Sequence, residues 1–335
     1  DLVILRSTVP VGTCRNHVLK ILEEESGLKG GVEFHLSFAP ERTAEGKALQ
    51  ELRTLPQIIG GLNDDSVEAT AALFRELTPT IIRVESLESA ELIKLINNGF
   101  RDHVFAFANE LVKLATIYNL DIVECINAAN QGYPRNPVPL PSPGVGGPCL
   151  TKDPYILSAS IPDDSAGGAL LLPKYGRETN EGMYPHIANA IIRQLKALGK
   201  EPSKSRILLC GLAFKGHPET GDIRNSAALE IYHLLKDQVG EVTGHDPVVQ
   251  SEEIQGYGIK PISNIDEAFD SQDVVLFLNN HTYYEKINIF ELVRSMNEEP
   301  IFFDGWHAFY ADEILNTCPS VYMGLSFVKS SVLGK

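Results

Sequence analysis

Between Ser89 and Gln131 the chain carries few helix breakers, and Leu92, Leu95, Phe100, Val104, Phe107, Leu111 and Leu114 recur at spacings near three and four. This periodicity predicts one very long helix, with Gly99 as the point where it would kink. A helix of about forty residues is roughly 60 Å long, more than the width of a small domain. It is therefore expected to connect two domains and to pack against a second copy of the chain. Before it, strand-like runs at Leu2–Leu5, Val32–Phe38, Gln57–Gly60 and Ile81–Val84 alternate with helical stretches reaching Glu25 and spanning Asp65–Leu77. After a Pro- and Gly-dense segment from Tyr133 to Pro154, an amphipathic helix is expected over Asn180–Leu198. A second alternation then places strands at Arg206–Phe214, Glu241–His245, Asp273–Leu278 and Ile301–Phe303, with helices at Ser226–Lys236 and Ile289–Met296. Alternating strands and helices on both sides of a long helix predict an α/β protein with regions 1–84, 85–199 and 200–335.

A length of 335 residues accommodates two domains of ordinary size. The formal net charge of -15 would repel a phosphate backbone, so nucleic acid is an unexpected partner. An anionic ligand would instead need a few placed cations or helix N-termini. The five cysteines form an odd set without a CxxC pair, which suggests neither a disulfide framework nor a zinc site. No apolar run reaches bilayer length and the N-terminus has no signal-peptide order, so the expected location is the cytoplasm, with no membrane partner and no metal.

The stretch Pro143–Pro154 carries the most chemistry. Gly144, Gly146 and Gly147 lead into Cys149, followed by Lys152 and Asp153, so backbone can approach a ligand beside a thiol that neighbouring charges can tune. The plain alternative is a loop with a buried structural cysteine. On the long helix, Glu91, Lys94 and Asn98 fall on one face, where a lysine and an amide could stabilise an oxyanion; a solvated Glu–Lys pair is the alternative. Thr8 and Glu41 follow two predicted strands, the edge where α/β sheets assemble sites, so Glu41 could act as a general base and Thr8 could position water or substrate. Lys215 and Arg224 flank the helix beginning near Ser226 and suit a pyrophosphate, or are two solvated cations.

Taken in order, Ser7–Thr13 (Ser-Thr-Val-Pro-Val-Gly-Thr), Pro40-Glu41-Arg42, Ala90-Glu91-Leu92 with Lys94 and Asn98, Gly146-Gly147 with Cys149-Leu150, Lys152 and Asp153, and Gly211–Lys215 (Gly-Leu-Ala-Phe-Lys) resemble the UDP-glucose and UDP-N-acetylhexosamine dehydrogenase family. The resemblance covers nearly the whole chain. It implies two Rossmann-like domains, the first incomplete here, joined by a long central helix. It also implies NAD as cofactor and a UDP-sugar as substrate, oxidised at C6 through a cysteine thioester. In that pattern Cys149 is the nucleophile, Lys94 and Asn98 stabilise oxyanions, Glu41 serves thioester hydrolysis, and Thr8 with Asp153 holds a water. Thr8, Glu41 and Lys152 fall on the cofactor side. Gly144, Gly146, Gly147, Lys215 and Arg224 fall on the substrate side, and Arg135 resembles an arginine lent to the neighbouring subunit's substrate. A homodimer through the helix 89–131 is implied as well.

Two departures are visible. The strand and GxGxxG turn that open such a cofactor domain do not precede Asp1, so this chain by itself is expected to keep substrate-site residues but to bind NAD weakly or not at all. Pro148 and Thr151 stand where many members carry other residues. The run from Phe214 to Arg224 is more similar to the N-acetylhexosamine branch, which favours UDP-N-acetylmannosamine over UDP-glucose. Two further readings stay open. One is a 3-hydroxyacid-type dehydrogenase, which needs no thiol. The other is an inactive nucleotide-sugar-binding fragment.

Overall fold

The computed structural model describes residues 1–161 and 168–332 and divides into two compact units. One comprises Asp1–Arg101 with Lys152–Tyr175, the other Asp102–Thr151 with Gly176–Lys335, so region 85–199 is shared between them.

In the first unit, β1 (Leu2–Leu5), β2 (His35–Phe38), β3 (Gln57–Gly61) and β4 (Ile81–Arg83) form a sheet in sequence order. β1 and β2 are parallel, β2 and β3 antiparallel, and β3 and β4 parallel. Helix Asp64–Phe74 starts at an Asn63 cap whose side chain accepts from the Ser66 N–H, and it buries Val67, Ala71 and Phe74 against the sheet. The start of the long helix packs on the sheet through Leu87 and Ala90. Gly60 permits this approach, because a Cβ there would lie 2.1 Å from the Ser86 carbonyl oxygen.

The second unit is built on a seven-stranded sheet of β5 (Arg206–Cys210), β6 (Glu241–His245), β7 (Lys260–Pro261), β8 (Val274–Phe277), β9 (Ile301–Asp304), β10 (Val321–Met323) and β11 (Val328–Ser330). Its order is β11-β10-β9-β8-β5-β6-β7, with every pair parallel except β10–β11. Leaving out the antiparallel edge, this is the doubly wound order 3-2-1-4-5-6, whose switch point lies between β5 and β8. Alternation along β5 divides the core. Ile207 and Leu209 face one cluster with helices Met183–Ala197 and Ala227–Leu235, while Leu208 and Cys210 face another with Ile289–Arg294. Burial on both faces explains why the central strands read as continuous apolar runs.

The long helix is shorter than its periodicity predicts. It spans Leu87–Ile117 and is followed by a separate helix, Ile122–Asn130. Asn119 takes a positive φ of 52°, its amide exchanges hydrogen bonds with the Val328 backbone, and Asp121 caps the new helix by accepting from Val123 and Glu124. An apolar periodicity that runs through both helices does not register this break. Gly99 lies inside the first helix, facing Leu157. The expected helix Asn180–Leu198 is observed as Met183–Ala197, and a helix that was not expected, Leu171–Glu181, precedes it.

Candidate active site

In the first unit the loop after β1 carries Thr8, half-buried. The loop is fixed by Glu91, which is 1% exposed and accepts from the Gly12 N–H at 2.5 Å and the Cys14 N–H at 2.7 Å. Glu91 therefore turns into the protein and is not a solvated partner of Lys94. Lys94 is half-buried, and no hydrogen bond or ion pair holds it among the described residues. One turn further, Asn98 Nδ2 donates to Asp153 Oδ2 at 2.5 Å, and Lys152 Nζ meets Asp153 Oδ1 at the same distance. Asp153 is fully buried at the start of the helix Asp153–Ser158. The unit thus brings Asn98, Lys152 and Asp153 together with Lys94 on the adjoining turn. Thr8 makes no hydrogen bond to Glu41 or Asp153 among the described residues.

Glu41 follows β2. Its carboxylate pairs with Arg6 Nη2 at 2.6 Å and accepts from the Thr43 N–H at 2.8 Å. Burial pushes this carboxyl up, but the Thr43 donors and the Arg6 charge outweigh it and hold it below the ordinary glutamate range. It is a firmly ionised, weakly basic carboxylate. Arg6, which sequence reasoning missed, also stacks on Phe74 at 5.0 Å.

In the second unit Cys149 is exposed, which removes the buried-cysteine alternative. The three glycines before it meet protein at close range. A Cβ on Gly144 would lie 2.1 Å from the Tyr184 ring, one on Gly146 2.3 Å from the Asn225 carbonyl oxygen, and one on Gly147 2.6 Å from the Phe214 ring. Gly147 donates its N–H to Asn225 at 3.0 Å, and Thr151 Oγ1 donates to the Gly147 carbonyl at 2.8 Å. The loop bearing the thiol is thus seated on the loop after β5. Lys215 lies over the Phe214 ring at 5.4 Å. Arg224, exposed, is held by Asp222 with a closest contact of 2.6 Å, beside helix Ala227–Leu235, whose cap is the neutral Ser226 hydroxyl. Arg135 is exposed, 5.6 Å from the Tyr133 ring centroid, and donates from Nη1 to the Tyr133 hydroxyl at 3.4 Å.

The carboxyl ends of β5, β6 and β8 add residues that sequence reasoning missed. Asp246 accepts from the Leu212 and Ala213 N–H groups at 2.7 and 3.0 Å, and Asn280 Oδ1 accepts from Gly216 and His217. His245 Nδ1 lies 3.0 Å from the Tyr284 hydroxyl, and burial pushes its imidazole down to about 4. For Asn280 a signal was present, a polar residue shortly after the apolar strand β8 at the switch point, whereas the polar strand β6 gave none for His245 and Asp246.

The nicotinamide cofactor can be tested against this chain. Thr8 and Glu41 follow the parallel strands β1 and β2 and keep part-exposed polar groups, which suits the reacting end of that cofactor. The helix N-terminus at Cys14 does not suit its pyrophosphate, because Glu91 already takes the backbone donors there. Among the described residues no group of three or more His, Cys, Asp or Glu could hold a metal ion, and no helix is long and apolar enough to cross a membrane.

Comparison with known proteins bears on all of this. Three domains of the UDP-glucose/GDP-mannose dehydrogenase family match: the NAD binding domain over residues 1–78, the central domain over 88–181 and the UDP binding domain over 208–311. The chain is 33% identical over 304 residues to the UDP-N-acetyl-D-mannosamine dehydrogenase of Pyrococcus horikoshii, covering 91% of this chain and 68% of that protein. It is 30% identical to the enzyme of the same name from Escherichia coli K12, covering 86% and 69%. The structure of an NDP-N-acetyl-D-galactosaminuronic acid dehydrogenase from Methanosarcina mazei aligns with a TM-score of 0.86 at 29% identity, over 97% of this chain and 69% of that one. The chain spans about two thirds of the length of these relatives.

Proposed function

Because the chain belongs to the UDP-glucose/GDP-mannose dehydrogenase family, a group with an NAD binding domain, we propose that it oxidises the C6 hydroxyl of a UDP-sugar to the carboxylate, with UDP-N-acetylmannosamine as substrate. The exposed Cys149, seated on a glycine loop and followed within four residues by the buried Asp153, is the observation that carries this reading. NAD supplies the acceptor for the two hydrides that leave C6.

The protein's own groups supply the rest. Cys149 sulfur bonds to the aldehyde carbon, and the hemiacetal oxygen takes the proton that the thiol gives up. Loss of the second hydride and that proton leaves a thioester. Water then adds to the thioester carbon, the C–S bond breaks, and the thiol is restored beside the sugar carboxylate. Lys94, which no hydrogen bond or ion pair holds among the described residues, is suited to the oxyanion of each tetrahedral species, and Asn98 adds an amide donor. Asp153 orients Asn98 through its hydrogen bond. Glu41, ionised but weakly basic, orders the attacking water more effectively than it deprotonates it.

On the substrate side, Lys215 and Arg224, in the loop before the Ser226-capped helix, are the cations for the diphosphate. Thr8 and Lys152 serve the cofactor side. The helix Leu87–Ile117 leaves Phe100, Phe107 and Leu114 exposed at seven-residue spacing, a seam suited to a second copy, to which Arg135 would then be lent.

Calorimetric titration with UDP, UDP-N-acetylmannosamine and UDP-glucose tests the reading. Binding of the N-acetylated sugar at least tenfold tighter than UDP-glucose is expected. No binding of any of the three would overturn it, and a preference for UDP-glucose would replace the substrate.

A further inference from the structure

Behind the glycine loop lies a buried polar network that the mechanism does not use. Arg177 is fully buried, as are Asn109 and Asn180, and Asp102 is 1% exposed. Arg177 Nη1 donates to Asp102 Oδ1 at 2.7 Å and to the Val145 carbonyl at 3.0 Å. Its other nitrogens reach Glu181 at 3.2 and 3.4 Å. Asn180 Nδ2 donates to Asp102 Oδ1 at 2.9 Å, and Asn109 Nδ2 donates to Asn180 Oδ1 at 2.9 Å. Asn109 Oδ1 then accepts from the Ser142 N–H at 2.9 Å, and Ser142 Oγ donates to the Gly144 carbonyl at 2.9 Å. The Tyr184 hydroxyl adds a longer bond to the Val145 carbonyl at 3.4 Å. One end of the network is an ion pair inside the unit, and the other is the backbone of residues 142–145, four to seven positions before Cys149.

A charge pair removed from water is costly unless its remaining donors and acceptors are used. Burial pushes Asp102 up and burial pushes Arg177 down, yet Asp102 beside it holds the guanidinium charged. Asp102 Oδ1 accepts from Arg177 and Asn180 together, while Asp102 Oδ2 is buried with no hydrogen-bond partner among the described residues, so the pair is held through one oxygen and keeps part of its burial cost. A hydrophobic pair could fill the same space without that cost. It could not, however, hold the Val145 carbonyl or the Ser142 N–H, and a Cβ-free loop has few side chains to anchor it.

We infer that Arg177, held by Asp102 and Asn180, is a positioning residue that fixes the glycine loop and thereby the place of the Cys149 thiol. The inference rests on the proposed role of Cys149, and its test separates the two. Glycines at 144, 146 and 147 let the loop lie flat against Tyr184, Asn225 and Phe214 but leave its backbone loose in itself. The network clamps the near side at Val145, and the Gly147 N–H bond to Asn225 clamps the far side. A thiol displaced by about 1 Å loses on the order of 10²-fold in rate, so such a clamp is worth having.

The test uses Tyr184→Phe and the double variant Asp102→Leu/Arg177→Met, which removes both charges together and leaves no lone buried ion. Hydrogen exchange is read on peptides covering residues 142–151 and on peptides of the β5–β10 sheet. Alkylation of Cys149 is compared in the same tube with that of exposed Cys125. Exchange in the loop should rise about tenfold or more in the double variant with the sheet unchanged, and the Cys149 to Cys125 rate ratio should move at least threefold. Tyr184→Phe should give a smaller change of the same kind. Turnover should fall about tenfold or more, with KM for the UDP-sugar moving less. Loop exchange that stays as in the parent, or that rises only together with the sheet, overturns the inference. Full turnover by Cys149→Ser would instead overturn the role of the thiol while leaving the exchange result standing.

Discussion

The loops that follow the first strand of each unit treat negative charge in opposite ways. After β1, the Gly12 and Cys14 N–H groups point at Glu91, a buried carboxylate of the chain's own. After β5, the helix beginning at Ala227 is capped by the neutral Ser226 hydroxyl, with Arg224 and Lys215 in the loop before it. The two strand-to-helix loops, one after an edge strand and one after a central strand, thus differ in whether a carboxylate of the chain is already built in. For a chain of net charge -15 such local placement matters more to an anionic ligand than the overall field.

The largest expected effect lies in the second unit. Cys149→Ser should lower turnover by on the order of 10³-fold or more, because a hydroxyl is a far weaker nucleophile than a thiol. Calorimetry should find UDP-sugar affinity changed less than about threefold. A variant that loses both equally would show the loop acting in binding alone.

The next effect is one of stability in the first unit. Glu91→Ala leaves the Gly12 and Cys14 N–H groups buried without their carboxylate, which costs about 3 kcal/mol. Thermal unfolding followed by hydrogen exchange should show residues 1–20 opening early, while the β5–β10 sheet keeps its protection. Uniform protection loss would erase the contrast between the two loops.

The contrast itself was only half legible in the sequence. Glu91, Lys94 and Asn98 share a helix face by spacing, but the turning of Glu91 toward Gly12 depends on a contact nearly eighty residues away in sequence. Arg6 with Glu41 and Arg177 with Asp102 were hidden for the same reason. The central strands of the second sheet read easily because both of their faces are buried. The strands Val321–Met323 and Val328–Ser330 were missed, being three residues each and next to polar turns. Helices Ala48–Thr54, Ser251–Gly256, Ile265–Ala268 and Ala311–Thr317 are too short for a helical period to emerge. The long helix was overrun for the opposite reason. Its apolar pattern continues past Ile117, while the stop was written in Asn119 and in an Asp121 cap with Glu124 three residues on.

Cations at the open loop come third. Arg224→Ala should weaken UDP binding about tenfold, the equivalent of one charge-assisted contact, as read by calorimetry. The variant also frees Asp222, whose carboxyl the Arg224 hydrogen bonds now hold below its usual range. The loss should therefore be partly restored in Arg224→Ala/Asp222→Asn, which removes the carboxylate left facing the anion. An affinity unchanged in Arg224→Ala would mean that the neutral cap alone distinguishes the two loops.

The smallest effect concerns Glu41, on the ligand edge of the first unit but tied to Arg6. Its carboxyl is depressed in the folded chain against an unfolded value near ~4.3. The folded state therefore favours the ionised form, and the stability this contributes is present above ~4.3 and lost as pH falls through the depressed folded value. Its side chain is 43% exposed, so solvent screens the Arg6 pair and the contribution stays below about 1 kcal/mol. Denaturant midpoints of the parent and Glu41→Gln should thus differ slightly at pH 7 and converge near pH 3. A parent less stable than Glu41→Gln at pH 7 that gained stability on acidification would mean the carboxyl is raised, returning Glu41 to the role of a general base. A parent more stable at pH 7 that loses the difference on acidification leaves it as a fixed negative charge that orders water without taking its proton.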